Sequence, residues 1–296
     1  MKIRLLADDS KIPNIAIMKI SKYHKLKGDN VDWYSPIEDM FDTDILYHSR
    51  IFTFTDNYMY YPVSGKIEKG GTGFSISKKL PEEIENITDI DYSLYPDCDY
   101  SLQFMTRGCA RNCGFCVVRE KEGYIHEVEP LKLNPKGKYI KLLDNNFFAF
   151  KGWEEKLKIL KSYKQPIDFN QGIDIRTLTE EQAKALADVK IKALHCAWDN
   201  YKDKKTILRG LERITKYIKP YKITVYVLVG YENKHITETD IKRVETLREI
   251  GVNPFAMGYI DYSDPKYKPP KEIKDFCRYV NRKEIFKSTT WGEYKR

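Results

Sequence analysis

Apolar residues in the carboxyl-terminal two thirds of the chain alternate between strand spacing and helix spacing. A run rich in β-branched residues at Ile223–Val229 predicts a buried strand, and the amphipathic stretch 204–218 predicts a helix before it. Thr179 and Gln182 match a capping box, which predicts the start of another helix. Strands separated by helices are typical of a parallel sheet, so an α/β fold is expected. The six strands predicted in this way span residues 101–105, 139–143, 167–175, 193–197, 223–229 and 254–260.

The first 75 residues repeat this alternation on a smaller scale. An apolar run at 3–7 predicts a strand, the polar residues 8–10 predict a helix cap, and a helical apolar pattern follows and ends at Gly28. Further strands are predicted at 31–34 and 45–54, so this part is expected to be a small Rossmann-like α/β domain. The predicted organisation is this domain at 1–75, a linker rich in charge and proline at 76–98, the main α/β domain at 99–262 and a C-terminal helical extension at 263–296.

Composition narrows the class of protein only slightly. A chain of 296 residues has ample length for a packed core, and it carries 51 Lys and Arg against 43 Asp and Glu. This excess permits an anionic partner such as a nucleic acid, but the positive charges are spread along the chain and form no arginine-rich block. No apolar stretch approaches the ~20 residues of a membrane span. Acidic residues at positions 8 and 9 interrupt what would be the apolar core of a secretion signal, so a cytoplasmic location is expected.

Three cysteines, Cys109, Cys113 and Cys116, form a C-x3-C-x2-C run directly after the first predicted strand of the main domain. Iron–sulfur clusters are held by cysteine thiolates, and three thiolates on one loop can bind three corners of a four-iron, four-sulfur (4Fe-4S) cluster. No fourth cysteine follows nearby, so one iron would stay open to a small molecule. The alternative is a zinc site that adds a distant histidine. Structural zinc sites usually bring a second Cys or His pair, which this run lacks.

The other cysteines are scattered, and their spacing does not indicate a disulfide framework, so reduced thiols are expected. We expect each of them to be a small buried side chain. Cys98 is an alternative cluster ligand because it lies close to the triplet in sequence. The scattered cysteines are Cys98, Cys196 and Cys277.

The run from Arg107 to Cys116 resembles the cysteine signature of the radical S-adenosylmethionine (SAM) superfamily. The resemblance implies a partial (β/α)6 barrel in the main domain, and the six predicted strands agree with it. It also implies a 4Fe-4S cluster whose open iron binds SAM, and an external electron donor that reduces the cluster. Cleavage of SAM would then give a 5′-deoxyadenosyl radical that abstracts hydrogen from a substrate, which the sequence does not identify.

The resemblance assigns SAM contacts to the carboxyl ends of the strands, where ligands of parallel α/β folds bind. Phe115, the aromatic residue before the last cysteine, is one candidate. Asp144 and Asn145 follow the second strand, where the family has a Gly-Gly-Glu-like element that holds the SAM amino group. This chain lacks the glycines, and a helix cap with a turn is the alternative. Gly230 ends a strand that resembles the family's adenine-contacting strand.

Polar residues within the third predicted strand indicate a further part of the site. Strand alternation would place every second residue from 170 to 176 on one face, and buried polar side chains need partners. Asp174 and Arg176 are therefore expected to face the cavity, where the family contacts the ribose and carboxylate of SAM. A structural ion pair is the alternative. His195, as a proton carrier, and Tyr259, as a relay, are the candidate catalytic residues, with a core role as the alternative for each.

The front domain resembles the cobalamin-binding domain that precedes the barrel in one subfamily. Asn14 and the glycine-rich run 69–74 carry this resemblance, and such glycines let the backbone turn sharply or approach a ligand. The cobalt-coordinating Asp-x-His-x-x-Gly run is missing, since residues 8–11 are Asp-Asp-Ser-Lys and the first histidine is His24. This argues against bound cobalamin. Two alternatives stay open: a cobalamin-dependent radical SAM methyltransferase, and a non-catalytic protein that binds an iron–sulfur cluster or zinc.

Overall fold

The chain is described by a computed structural model that covers residues 1–9, 12–264 and 266–294. It divides into two compact units. Within the described part of the chain, no helix combines the length and the apolar character needed to cross a membrane. Unit 1 contains Met1–Leu102, Glu129–Gly137 and Tyr262–Lys266, and unit 2 contains Gln103–Val128, Lys138–Asp261 and Tyr267–Arg296.

Unit 1 is built on a parallel four-stranded sheet. Its elements are β1 (Lys2–Ala7), α1 (Ile15–Leu26), β2 (Asn30–Trp33), α2 (Pro36–Asp39), β3 (Ile45–Ser49), β4 (Lys66–Gly70) and α3 (Glu82–Glu85). The strand order is β2-β1-β3-β4, and every neighbouring pair is parallel. Ile3 and Leu5 of β1 pack with Ile17 of α1, and Ile84 of α3 joins this core at 2% exposure. The segment 76–98, expected from its composition to be a linker, therefore supplies part of the core of unit 1.

The start of α1 differs from the expected cap at 8–10. The helix begins after Asn14, whose side chain accepts a hydrogen bond from the amide of Ile17 at 3.2 Å. Ser10 lies outside the described residues. The helix ends near Gly28, which has a φ of 79° and so makes the left-handed turn expected of a glycine there.

The third strand of unit 1 is shorter than the apolar run at 45–54 predicts. β3 ends at Ser49, because the carboxylate of Asp9 accepts hydrogen bonds from the amides of Ile51 and Phe52 at 2.8 and 2.7 Å. These bonds turn the chain away from the sheet. The strand β4, which the pattern did not predict, then pairs with β3 up to the start of the glycine-rich run.

The second sheet has six strands that follow one another in chain order, and its strands from residue 140 onward lie in unit 2. The sheet order is β12-β11-β10-β9-β8-β5, and the pairs from β8 to β12 are parallel. The elements are β5 (Ser101–Gln103), β6 (Thr106–Arg107), α4 (Val118–Glu122), β7 (His126–Glu127), β8 (Ile140–Leu142), α5 (Trp153–Ser162), β9 (Ile167–Ile173), α6 (Glu180–Ala187), β10 (Ile191–Ala197), α7 (Lys204–Thr215), β11 (Ile223–Val229), α8 (Glu238–Ile250), β12 (Asn253–Gly258), α9 (Lys271–Asn281) and α10 (Lys283–Ser288).

The two faces of this sheet differ in exposure. Along β11 the side chains alternate, so that Val225 and Val227 are fully buried while Tyr226 is only half-buried. Parallel sheets are usually covered on both faces. The side that carries Tyr226 is only partly covered, and we call it the open face. Its residues include Asp168, His195, Tyr226, Phe255 and Met257, which are joined by strand register, ring contacts and an ion pair.

A bulge in β9 breaks the alternation expected from residue 170 to residue 176. Phe169 lies opposite Leu194 of β10, but Ile173 lies opposite Cys196, so four steps along β9 match two steps along β10. Gly172 lies within the bulge with a φ of 98°, and a side chain there would come within 2.9 Å of the carbonyl oxygen of the facing strand. The prediction that alternate residues of this segment share one face is therefore wrong.

Candidate functional site

The three cysteines lie on a loop between β6 and α4, which we define as the cysteine loop, residues 108–117. The base of this loop is closed by β6 and β7, which pair antiparallel with Arg107 opposite His126. Gly108 opens the loop with a φ of 76°, and a side chain there would lie 2.5 Å from the carbonyl oxygen of Tyr124. Glycine is required at this position, because both the backbone angle and the close approach exclude a Cβ atom.

Asp144 holds the chain that leads into the cysteine loop. It follows β8 and is 2% exposed. Its carboxylate accepts hydrogen bonds from the amides of Met105 and Thr106 at 2.9 and 2.7 Å, and from the hydroxyl of Thr106 at 2.6 Å. Burial raises the pKa of Asp144 to about 6, although these donors act in the opposite direction. With its oxygens engaged in this way, Asp144 holds the segment that leads into the cysteine loop.

A second carboxylate, that of Glu122 at the end of α4, binds three groups at the base of the cysteine loop. It accepts hydrogen bonds from the amide of Gly108 at 3.0 Å and from the side chain of Asn145 at 2.9 Å. Its other oxygen pairs with Arg107 at 3.0 Å. Asn145 is thus tied to the loop base. Sequence reasoning did not find Glu122, because a glutamate in a short helix carries no local signal of its partners.

Asp174, which follows β9, ties the middle of the cysteine loop to the sheet. Its carboxylate forms an ion pair with Arg111 of the loop and accepts a hydrogen bond from Nε of Arg176 at 2.7 Å. Arg176 also pairs with Asp203 at 3.1 Å. Burial would raise the pKa of Asp174, but the two arginines prevail and hold it below its usual range. The structure thus gives Asp174 and Arg176 the ion pair that was the alternative to a SAM contact, and adds Arg111 to it.

The three thiols are free, with Cys109 and Cys113 half-buried and Cys116 exposed. The sulfur of Cys109 accepts a hydrogen bond from the amide of Arg111 at 3.4 Å. Partial burial raises the pKa of the Cys113 thiol, while the charges of Arg176 and Arg111 act to lower it. Metal ligands must be deprotonated, so the charges of Arg176 and Arg111 favour the metal-binding form of the Cys113 sulfur, while burial opposes it and prevails.

The donor set consists of three cysteine thiols on one loop, which is the ligand type that holds iron–sulfur clusters. Among residues 1–9, 12–264 and 266–294, no three Cys, His, Asp or Glu side chains converge on a point as the ligands of one ion must. In a 4Fe-4S cluster each cysteine binds a different iron, so the three thiols need not converge. Cys98 and Cys196 are 7% and 1% exposed, as expected for small buried side chains, whereas Cys277 is only half-buried, so the prediction is wrong for it.

Phe115 links the cysteine loop to aromatic residues that follow β11 and β12. Its ring centroid lies 5.5 Å from that of Tyr231, which lies 4.9 Å from that of Tyr259. Gly114 makes this approach possible, because a side chain there would lie 2.7 Å from the hydroxyl of Tyr231. The structure therefore connects the candidate Tyr259 to Phe115 of the cysteine loop through the ring of Tyr231.

The remaining candidates lie at the ends of β10 and β11. His195 belongs to the open face, two residues before the end of β10. Gly230 has a φ of 84° and forms the turn after β11, where a side chain would lie 3.3 Å from Ile273 of α9. Asp199, which follows β10, has a carboxylate without a hydrogen-bond partner among the described residues. Burial raises the pKa of Asp199 to about 6, and the charge of this carboxylate raises the pKa of the Cys113 thiol.

The carboxyl edge of the sheet in unit 1 is filled by its own side chains. His48 is 1% exposed and pairs with Asp8 at 2.8 Å, and Arg50 pairs with the same carboxylate at 3.0 Å. The guanidinium of Arg50 lies 4.5 Å from the ring centre of Phe74. A side chain at Gly71 would lie 2.2 Å from the carbonyl oxygen of Arg50, so the glycine-rich run packs against the protein. Ligands of sheets with this strand order bind between β1 and β3, and the residues there do not fit cobalamin.

No protein-family model and no curated protein matches this sequence. Among solved structures, the chain is similar to the radical SAM methyltransferase TsrM from Kitasatospora setae, whose structure contains cobalamin and a 4Fe-4S cluster. The TM-score is 0.58 at 12% sequence identity, and the match covers 87% of this chain and 75% of TsrM. At this identity the likeness concerns the fold alone. The α/β chain with its parallel sheets thus has a fold similar to that of a radical SAM enzyme, which confirms, at the level of the fold, the resemblance drawn from the cysteine loop.

Proposed function

We propose that the chain is a radical SAM enzyme whose cysteine loop holds a 4Fe-4S cluster. Cys109, Cys113 and Cys116 would bind three irons and leave the fourth for SAM. When bound and reduced by an external donor, the cluster supplies the electron that cleaves SAM to a 5′-deoxyadenosyl radical, which abstracts hydrogen from the substrate. The observation that carries the proposal is the position of the cysteine loop, which follows the first strand of a six-stranded sheet built in chain order.

The sheet of unit 2 supports the proposal that this part is a partial (β/α)6 barrel. Its strands are arranged in the order of the chain, and helices stand between the successive strands from β8 to β12. A closed barrel of this type has eight strands, so six leave an opening between β5 and β12. The half-buried open face is then the lumen of the barrel, where a substrate would be accommodated.

Charged groups near the cysteine loop match the two charges of the amino acid part of SAM. The carboxylate of Asp199 has no hydrogen-bond partner among the described residues, and we assign it to the SAM ammonium group in place of Asp144. Arg176 already pairs with two aspartates, and its guanidinium has donors suited to the SAM carboxylate. Phe115 and Gly230 stay predicted neighbours of the adenosine part.

Anaerobic reconstitution with iron and sulfide, reduction with dithionite and addition of SAM should yield 5′-deoxyadenosine, measured by chromatography and mass spectrometry. Addition of SAM should also change the electron paramagnetic resonance spectrum of the reduced cluster. Asp199→Asn should bind the same amount of iron and weaken SAM binding about tenfold, because the SAM ammonium group keeps an acceptor but loses its negative charge. Asp188→Asn, in which the side chain replaced is 76% exposed, is the matched control and should bind SAM like the unaltered chain.

Two results would overturn the proposed function. The first is a chain that assembles no cluster. The second is a full cluster whose resonance spectrum is unchanged by SAM, which would favour a non-catalytic iron–sulfur protein. This second measurement needs no substrate, so it separates an inability to bind SAM from a requirement for substrate before cleavage.

Cobalamin is expected not to bind. His48, Arg50 and Phe74 fill the crevice between β1 and β3, and opening it would expose buried charged groups. Hydroxocobalamin incubated with the reconstituted chain should therefore elute separately on gel filtration, with its absorption bands unshifted. One equivalent retained on the chain would contradict this and would support the alternative of a cobalamin-dependent methyltransferase.

A further inference from the structure

Asp168 and His195 form a polar pair on the open face, away from the ion pairs of the cysteine loop. Nδ1 of His195 lies 3.4 Å from Oδ1 of Asp168 and 3.1 Å from the carbonyl oxygen of Phe169. The imidazole stacks on the ring of Tyr226, with 5.3 Å between centroids and an angle of 14°. Three groups therefore hold the ring in one orientation.

These contacts define the tautomer of the neutral imidazole. A carbonyl oxygen only accepts hydrogen bonds, so Nδ1 of His195 carries the hydrogen that it donates to Phe169. Nε2 then carries a lone pair. Within the described residues Nε2 has no hydrogen-bond partner, and the side chain is 15% exposed. His24, by contrast, has partners for both ring nitrogens, Asp29 at 2.7 Å and Tyr47 at 3.0 Å, as a structural histidine should.

Asp168 is the acidic member of the pair. Its side chain is 12% exposed, and its oxygen Oδ1, which faces Nδ1 of His195, is buried and makes no hydrogen bond among the described residues. The carboxylate of Asp168 lies beside Nδ1, so it helps to fix the ring orientation in which Nε2 is left without a partner. A carboxylate, an oriented imidazole and an unpartnered Nε2 together make the arrangement of a general base.

The surroundings of His195 indicate what kind of molecule meets Nε2. Phe255 and Met257 of the open face are 41% and 46% exposed, and Phe255 packs edge-on against Tyr226 at 5.8 Å. The bulge in β9 leaves the side chain of Gln171 exposed, and β9 pairs with β10, the strand that carries His195. Bulges of this kind are over-represented beside active sites. An apolar surface with a few polar groups suits an organic molecule that has an apolar or aromatic body.

We infer that His195 is the proton acceptor for an O–H or N–H group of the substrate, and that Asp168 is its positioning residue. The inference rests on the proposed function, because the open face is taken as the substrate cavity. In the step, the proton passes to Nε2 and the electron pair of the broken bond stays on the substrate oxygen or nitrogen. The ring becomes an imidazolium beside the carboxylate of Asp168, so no external oxidant or reductant is needed.

The experiment uses the full chain and needs neither SAM nor a known substrate. Long-range proton–nitrogen spectra of histidine-labelled protein should show the Nδ1–H tautomer for His195, which His195→Gln identifies by loss of its signal. Diethyl pyrocarbonate, which acylates accessible unprotonated imidazole, should modify His195 at pH 8 much faster than His24. In Asp168→Asn this rate should fall about threefold, since Nδ1 loses the carboxylate that helps to orient the ring, while the rate at the exposed His126 stays unchanged. Asp188→Asn is the matched charge control and should leave the rate at His195 unchanged.

Three results would overturn the inference: the Nε2–H tautomer, reactivity of His195 no greater than that of His24, or an unchanged rate in Asp168→Asn. The tautomer is measured on the unaltered chain, so the inference stays falsifiable even where a variant misfolds. Failure of SAM to bind would instead refute the proposed function, and it would do so whatever the histidine measurements show.

Discussion

Replacing Cys116 with alanine is expected to abolish the 4Fe-4S cluster and all cleavage of SAM. The variant keeps only two thiols on the cysteine loop, and Cys98 and Cys196 are 7% and 1% exposed, so neither can supply the missing ligand without unfolding its surroundings. Clusters of this type depend on thiolate ligands. Iron and sulfide content after anaerobic reconstitution, together with the visible absorption of the cluster, measures the loss. Cys109→Ala and Cys113→Ala should behave in the same way.

Cys277→Ala is the matched control for the three cysteine variants. Cys277 lies on α9, where burial raises the pKa of its thiol to about 11, so it is a poor source of thiolate. This variant should keep the iron content and the 5′-deoxyadenosine yield of the unaltered chain. Iron loss in Cys277→Ala, or a full cluster in Cys116→Ala, would show that the ligands are assigned wrongly.

Asp144→Ala is expected to loosen the chain that leads into the cysteine loop by about 3 kcal/mol, because it leaves buried donors of Met105 and Thr106 without an acceptor. Hydrogen exchange of these two amides measures the effect at the site itself. Exchange should become more than about 100-fold faster, since each 1.4 kcal/mol is a factor of ten. Asp188→Ala removes a side chain that is 76% exposed and should leave both amides protected.

The same carboxylate should make stability depend on pH. The pKa of Asp144 is raised from 3.8 to about 6 by burial, so the folded chain holds this proton more tightly than the unfolded chain. The proton on Asp144 adds about 3 kcal/mol to the free energy of unfolding. This contribution is fully present below pH 3.8 and is lost as the pH rises through about 6. In Asp144→Asn the decrease in the free energy of unfolding that this proton causes between pH 4 and 6 should disappear. Protected amides in Asp144→Ala, or an unchanged slope in Asp144→Asn, would contradict the structural role assigned to Asp144.

Several elements could be predicted from the sequence because their signals are local. The β-branched run at Ile223–Val229 forms β11 over the same residues. Thr179 caps α6 with both hydrogen bonds of the capping box, as its spacing to Gln182 predicts. Gly251 ends α8 in the left-handed conformation. In each case the stabilising contacts lie within a few residues, so a short window of sequence contains the information.

The errors arise where distant residues decide the outcome. Ile84 lies in a charged segment whose composition predicts a linker, yet it is buried in the core of unit 1. The strand predicted at 45–54 ends early because the carboxylate of Asp9, 42 residues before Ile51, accepts a hydrogen bond from the amide of Ile51. The alternation expected after Phe169 fails because a bulge shifts β9 against β10. Periodicity cannot report such effects, since it assumes regular backbone and ignores side chains from elsewhere.

The sequence by itself determined the chemistry that this chain can offer: three thiols at C-x3-C-x2-C spacing, and the order of strands and helices that places them after the first strand of a parallel sheet. Only the tertiary structure decided the role of each carboxylate nearby. Asp144 meets donors 38 and 39 residues before it, and Asp174 meets an arginine 63 residues before it, so both are used in holding the loop. Among the described residues the carboxylate of Asp199 has no hydrogen-bond partner, and for this reason we assigned it to a ligand. The physical reason is that a carboxylate's role depends on which donors reach it and on how deeply it is buried, and both are properties of long-range packing.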